Sequence, residues 1–291
     1  MAASMRNKFR APILMNAPVS TSRFAWLPIT PRGVAAFATA STGRLLLVQF
    51  FFALIAAAAF GWFLHAAWVP PIRAAIKQLP AGTRIKSGVL DWPGDSPALL
   101  AEGHFLAFAV DLEHAGEHVS TAQAQVEFGK RDWQVSSLLG VLDLPSLVDT
   151  TYPTNRILAL DRAELEPWWG AREPFFIFLA AAGLVVYLMI SWALLAVIYS
   201  VPAWLAGFFA NRALDWRGSW RLAGAALMPG ALLLSVAIVL YGLRAFDLVK
   251  LGFAFGMHLV VGWLYVCVSP FFLPRNPAVP AAEKNPFEPG G

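Results

Sequence analysis

The stretch His114-Ala115-Gly116-Glu117-His118 holds the densest set of reactive side chains in the sequence. Its H-x-x-E-H spacing is that of inverted zinc proteases, where two histidines on one helical face hold the metal and the glutamate activates the bound water. Here Gly116 sits inside the motif and strand-like runs flank it closely. The segment therefore reads as a solvated hairpin turn, and no downstream acidic helix offers a third ligand. On that reading, changing His114, Glu117 and His118 together to Ala shifts stability by no more than about 0.5 kcal/mol.

Other candidates are weaker. Asp91 and Asp95 share a loop around Trp92 and Pro93. Paired carboxylates can do acid–base work or bind Ca²⁺, but in a Gly/Pro-rich turn they are more simply turn formers. His258 and His65 fall inside or near apolar stretches, where a neutral histidine bonded to a neighbouring helix is the cheaper reading than a functional ionisable group. Gln49, Ser191, Ser235, Tyr187, Tyr241 and Tyr265 read as hydrogen-bonding glue between helices. The single cysteine, Cys267, allows no intrachain disulfide and reads as a small buried hydrophobe. There is no phosphate loop, dinucleotide fingerprint or serine-nucleophile elbow. No catalytic, cofactor-binding or metal-binding residue is assigned, and no cofactor is expected.

The elements that carry these residues are dictated by apolarity. Hydrophobic residues make up 58% of 291 and charged residues 14%, against roughly 45–50% and 25% in soluble domains. Four stretches free of Asp, Glu, Lys and Arg are long enough to cross a bilayer, at about 20 helical residues each: 45–69, 174–200, 222–243 and 251–273. The basic lead before the first is too long for a cleaved signal peptide, so the first stretch is expected to be a retained anchor. Pro202 to Leu214 is apolar but short, and reads as an extension of the second span or an interfacial segment within a 201–221 loop. Gly252 and Gly256 form a G-x-x-x-G pair expected to pack closely on a neighbouring helix.

Lys and Arg set the orientation. Residues 1–44 hold six (Arg6, Lys8, Arg10, Arg23, Arg32, Arg44) and no acid; the 201–221 segment carries Arg212, Arg217 and Arg221 against Asp215; the 274–291 tail carries Arg275 and Lys284. Residues 69–173 hold nine Lys/Arg against fourteen Asp/Glu, a net of −5. Short basic loops stay in the cytoplasm, so both termini are expected inside and residues 70–173 outside. Trp62, Trp68, Trp168, Trp169 and Trp204 near span ends suit an aromatic belt. Basic flanks beside apolar spans attract anionic lipid, and a nucleic-acid partner is not expected.

Within 1–44, Thr30-Pro31 looks like a helix start for a short interfacial segment, RGVAAFATASTGR. Residues 1–20 and the Pro-rich tail from Asn276 read as disordered. In the 70–173 region, residues 71–79 read as a helix ended by Pro80-Ala81-Gly82, and 83–90 as a strand. Strands are also expected at 104–111, 123–128, 133–139 and 157–160, with Gly129–Asp132 as a hairpin turn. Asp161 and Glu164 resemble a capping box. The fold class expected is thus an α-helical integral membrane protein with four spans and a small mainly-β extracytoplasmic domain between spans 1 and 2.

The arrangement resembles an uncharacterised bacterial membrane family, the domain of unknown function eleven-eighty-nine. The carrying passages are IRAAIKQLPAGTRIKSGVLDWPGDSP, FAVDLEHAG and NRALDWRGSWRLAGAALMPGALL, in that order across residues 31–273. The long basic N-terminus and the span-two extension depart from it. The last three spans are similar to Yip-type membrane modules. Neither resemblance implies a catalytic site; the first implies a bacterial inner membrane.

Three functions fit. A non-enzymatic scaffold, assembly or sensing component, meeting a membrane-protein or envelope partner through residues 83–160, needs no catalytic residues. A transporter or channel subunit is disfavoured by uncharged spans and by halves that do not repeat. An enzyme acting on lipid or envelope polymer lacks a motif.

Overall fold

The computed structural model describes residues 27–114, 120–137 and 148–276. The expectations for residues 1–20, for Glu117 and His118, for the end of the 133–139 strand and for the tail beyond Asn276 lie outside them.

Among the described residues, four helical rods are long and apolar enough to cross a membrane: Thr42–Gln78, Arg162–Phe209, Trp216–Gly242 and Leu248–Phe272. The first is α2 (Thr42–Phe63), one π-helical turn (Leu64–Trp68) and α3 (Val69–Gln78). Pro70 and Pro71 lack the N–H groups that would pair with the carbonyls of Ala66 and Ala67, and a widened turn absorbs the defect without ending the rod. It ends where Leu79 turns extended and Gly82 takes a positive φ of 83°. The second rod is a single helix, α4 (Arg162–Phe209), of 48 residues and about 72 Å. Asp161 caps it by accepting from the Glu164 amide.

This corrects the segment 201–221, which is not a loop. The α4 helix runs on through Pro202 to Phe209, so 202–209 is a helix extension. The next helix, α5 (Trp216–Ala226), begins where the Asp215 carboxylate accepts from the Gly218 amide. Only 210–215 connects them, with Asn211 at φ 52°. Pro229 then breaks the rod at Leu227 before α6 (Met228–Gly242). The last rod is α7 (Leu248–Val268), capped by Asp247, and a 3₁₀ turn at Ser269–Phe272.

The Thr30 cap with Pro31 at the first position is present, but α1 (Pro31–Ala35) is only five residues long and leads into a 3₁₀ turn, Ala36–Ala38. It does not lie apart as an interfacial helix. Val34 and Phe37 are fully buried in the bundle core with Leu45, Leu222 and Val266. Two arginines tie this end together: Arg221 donates to the Ala38 carbonyl and Arg212 to the Leu273 carbonyl, each at 2.7 Å. The described ends of the chain thus meet at one end of the bundle, where Tyr265 also donates to Ile29 O.

The strand-containing region lies between the first and second rods and sits at the other end. The expected strand 83–90 is two strands, β1 (Arg84–Lys86) and β2 (Val89–Asp91), because Ser87 and Gly88 both take positive φ (52° and 75°) in a two-residue turn. With β8 (Leu158–Ala159) they make a three-stranded sheet ordered β2-β1-β8. A five-stranded sheet is ordered β3-β4-β5-β6-β7, from β3 (Ala98–Glu102), β4 (Leu106–Val110), β5 (Ala124–Phe128), β6 (Asp132–Ser137) and β7 (Val148–Thr151). Strands β3 and β7 are not apparent from sequence alternation. The β4–β5 pair is parallel and the others antiparallel. Leu90 N donates to Lys130 O at 2.9 Å, linking the sheets. The α3 helix packs on β3 and β4, and Phe105 wedges between Phe63 of α2 and Tyr241 of α6, ring centroids 5.3 and 4.9 Å away.

Candidate functional site

His114 lies four residues beyond the end of β4 and turns the chain at φ 52°. Its ring is not loose in solvent. Nδ1 lies 2.5 Å from Glu127 Oε1 on β5, and Nε2 lies 3.0 Å from Asp132 Oδ1 at the start of β6. Hydrogen bonding to Asp132, aided by Glu127, holds the imidazole pKa above its ordinary value, although burial opposes this. Gly129 makes the arrangement sterically allowed: a Cβ there would come within 2.2 Å of His114 Nε2 and 2.6 Å of Asp132 Oδ1. Beside it, Tyr152 is buried and donates to the Gly129 carbonyl at 3.1 Å, and burial pushes its phenol pKa well up.

This corrects the reading of His114 as a dispensable turn residue. It also changes the chemistry available. The two carboxylates sit on opposite nitrogens, so the three groups do not converge on a point where one metal ion could bind. The constellation is a histidine clamped between two acids, which suits holding three β elements in register. Glu117 and His118 lie outside the described residues. Asp91 is paired with Arg84 at 3.0 Å, and the main-chain carbonyl of Asp95 accepts from the Trp92 indole at 2.8 Å, which fixes the loop.

A second constellation was not singled out from the sequence. Where α3 leaves the first rod, Arg73 meets Glu173 of α4 in a two-pronged pair: Nε to Oε2 at 2.8 Å and Nη2 to Oε1 at 3.0 Å. Glu173 is only 3% exposed, and the π-turn residue His65 puts Nδ1 3.7 Å from its Oε1. The pair clasps the two longest rods at the strand-region end. Opposite charges flanking the same end of consecutive antiparallel spans are a readable signal in the sequence.

Above this clasp is a cavity of about 120 Å³ lined wholly by carbon-rich side chains, among them Ile72, Ile76 and Leu79 of α3, Trp92, Leu100 and Phe108. The one hydroxyl on its wall, Thr83, is already bonded to Pro80 O.

Inside the bundle, several expected contacts differ. His258 Nδ1 bonds the carbonyl of Phe255 in its own helix, not a neighbour. Ser235 likewise bonds Ala231 of its own helix, and Tyr187 is 66% exposed. Gln49 does bridge helices, donating to Gly224 O at 3.3 Å. Cys267 is exposed, not buried. Gly252 and Gly256 have nothing near enough for their added Cβ atoms to touch; the close approach is instead Gly230 of α6 against the His258 backbone of α7. The sequence pattern of α7 could not reveal this, because the small residue that matters lies on the partner helix.

Known protein families, curated proteins and solved structures offer no match to this chain.

Proposed function

We propose that the chain is a multi-pass protein of a bacterial inner membrane, with both termini cytoplasmic and the strand-containing region on the outer side. It acts there without catalysis, as a scaffold, assembly or sensing component. The placement rests on the basic residues of 1–44 and on Arg212, Arg217 and Arg221 around the start of α5, and it agrees with a bundle whose described ends lie together, opposite the strands.

The observation that carries the mode of action is mechanical. The strand region is joined to two rods by continuous helix, α3 on one side and α4 on the other, and the Arg73–Glu173 pair ties those helices together. Anything bound to the strand region, whether a membrane protein or an envelope component, is therefore coupled to the spans without a flexible linker. A reporter active only in the cytoplasm tests the placement: fusion after Arg44, Asp215 or Arg275 gives signal, and fusion near Lys130 gives none. Signal at Lys130 or silence at Arg275 refutes it.

A further inference from the structure

The apolar cavity does not stand alone. Ile76 also lines a cleft of about 240 Å³ between α3 and α4, whose other walls are Arg73, Lys77, Glu166, Trp169 and Gly170. Two of its charges are neutralised: Arg73 by Glu173 and Glu166 by Arg162, the latter at 2.9 Å. Lys77 has no ion-pair partner among the described residues. The Trp169 indole N–H is buried with no acceptor, although a buried donor left unpaired costs about 1–3 kcal/mol. The cleft thus presents one uncompensated positive charge and one unused donor, and an all-carbon cavity lies on the other side of Ile76.

We propose that this cleft and cavity together bind a single-chain anionic amphiphile: a fatty acid, or one acyl chain of an anionic lipid. The anionic head lies against Lys77 and the Trp169 N–H, and the chain end enters the cavity past Ile76 and Leu79. The size fits. A dry apolar cavity of about 150 Å³ takes up a molecule the size of benzene, so this one holds the end of one chain, not a two-tailed lipid. The location fits too, because Ile72 follows the Trp68 turn by one helical turn and Leu165 precedes Trp168 by less than one. Tryptophans of this kind mark the bilayer interface, where lipid is the most concentrated apolar solute. The proposal rests on the placement above, with the strand region on the outer side of the spans, and the reporter fusions read that sidedness separately.

The test uses the full chain in phosphatidylcholine nanodiscs with trace photoreactive probes bearing a diazirine on the acyl chain: a fatty acid, a phosphatidylglycerol and a phosphatidylcholine. Labelled peptides are mapped by mass spectrometry. The expected result is that an anionic probe labels residues 72–79 and 100–110, while the phosphatidylcholine probe labels only the apolar stretches 45–69, 174–200, 222–243 and 251–273. Labelling by phosphatidylglycerol identifies a bilayer lipid as the source; labelling by the fatty acid alone identifies the free acid. Lys77→Gln lowers that labelling about fivefold, the factor expected for one surface lysine facing anionic lipid. Ala75→Leu, which fills the cavity, removes it while labelling of the four apolar stretches is unchanged. Equal labelling of 72–79 by the phosphatidylcholine probe, no labelling there by any probe, or indifference to Lys77→Gln overturns the proposal.

Discussion

His114 shows how a side chain's surroundings decide its worth. As a sequence motif it belongs to a metal-binding pattern; in the fold it is a strut between Glu127 and Asp132. The folded-state pKa is raised above the ordinary 6.5. Its contribution to stability is therefore fully present below the unfolded pKa of about 6.5 and is lost as pH rises through the folded value. His114→Ala should lower the melting temperature of detergent-solubilised protein at pH 6, and the gap to wild type should shrink by pH 9. A gap that is constant over this range would show that the ring acts by packing alone. None of this was legible in H-x-x-E-H, because both acids come from later strands, 13 and 18 residues along the chain.

At the scale of elements, the clasp between α3 and α4 and the contact between α6 and α7 carry separate consequences. Glu173 is buried while Arg73 is about half exposed, so the pair sits between the surface and buried regimes. Arg73→Ala leaves a buried carboxylate without its partner and should cost about 2 kcal/mol, less than a wholly buried pair would. Adding Glu173→Ala should recover part of that loss, and a double-mutant cycle on chemical denaturation measures the coupling. For the second contact, a Cβ at Gly230 would come within 2.4 Å of the His258 carbonyl oxygen. Gly230→Leu should therefore lower the melting temperature sharply and Gly256→Leu should not, a contrast one thermal-shift experiment reads. Equal effects would mean that the Gly252–Gly256 face is covered by a second copy or another protein.

For the whole molecule, the bundle and the strand region form two cores that meet at one aromatic joint, Phe63, Phe105 and Tyr241. Spans are recognised by their own hydrophobicity, so deleting residues 83–160 should leave the reporter pattern at Arg44, Asp215 and Arg275 intact while abolishing any cellular phenotype. A lost pattern would mean that the strand region is needed for insertion. The α4 helix is the rod with most to gain from a surrounding bilayer. Phe178, Leu194, Ile198 and Phe208 all stand more than half exposed on it, a surface that in water would drive association.

What the sequence determined by itself was set by local chemistry. Apolar runs of sufficient length make rods, Asp and Thr before a helix cap it, and Gly-Lys-Arg-Asp makes a turn, because each depends on neighbours a few residues away. The existence of four rods, the Thr30 and Asp161 caps and the β5–β6 hairpin were all readable on those grounds. Tertiary structure decided the rest. The parallel pairing of β4 with β5, the burial of the short α1, the choice of Gly230 over Gly256 as the close contact, and the partners of His114 and Glu173 join residues distant in sequence. Such contacts are selected by which faces the packed elements present to one another, and no local propensity encodes that.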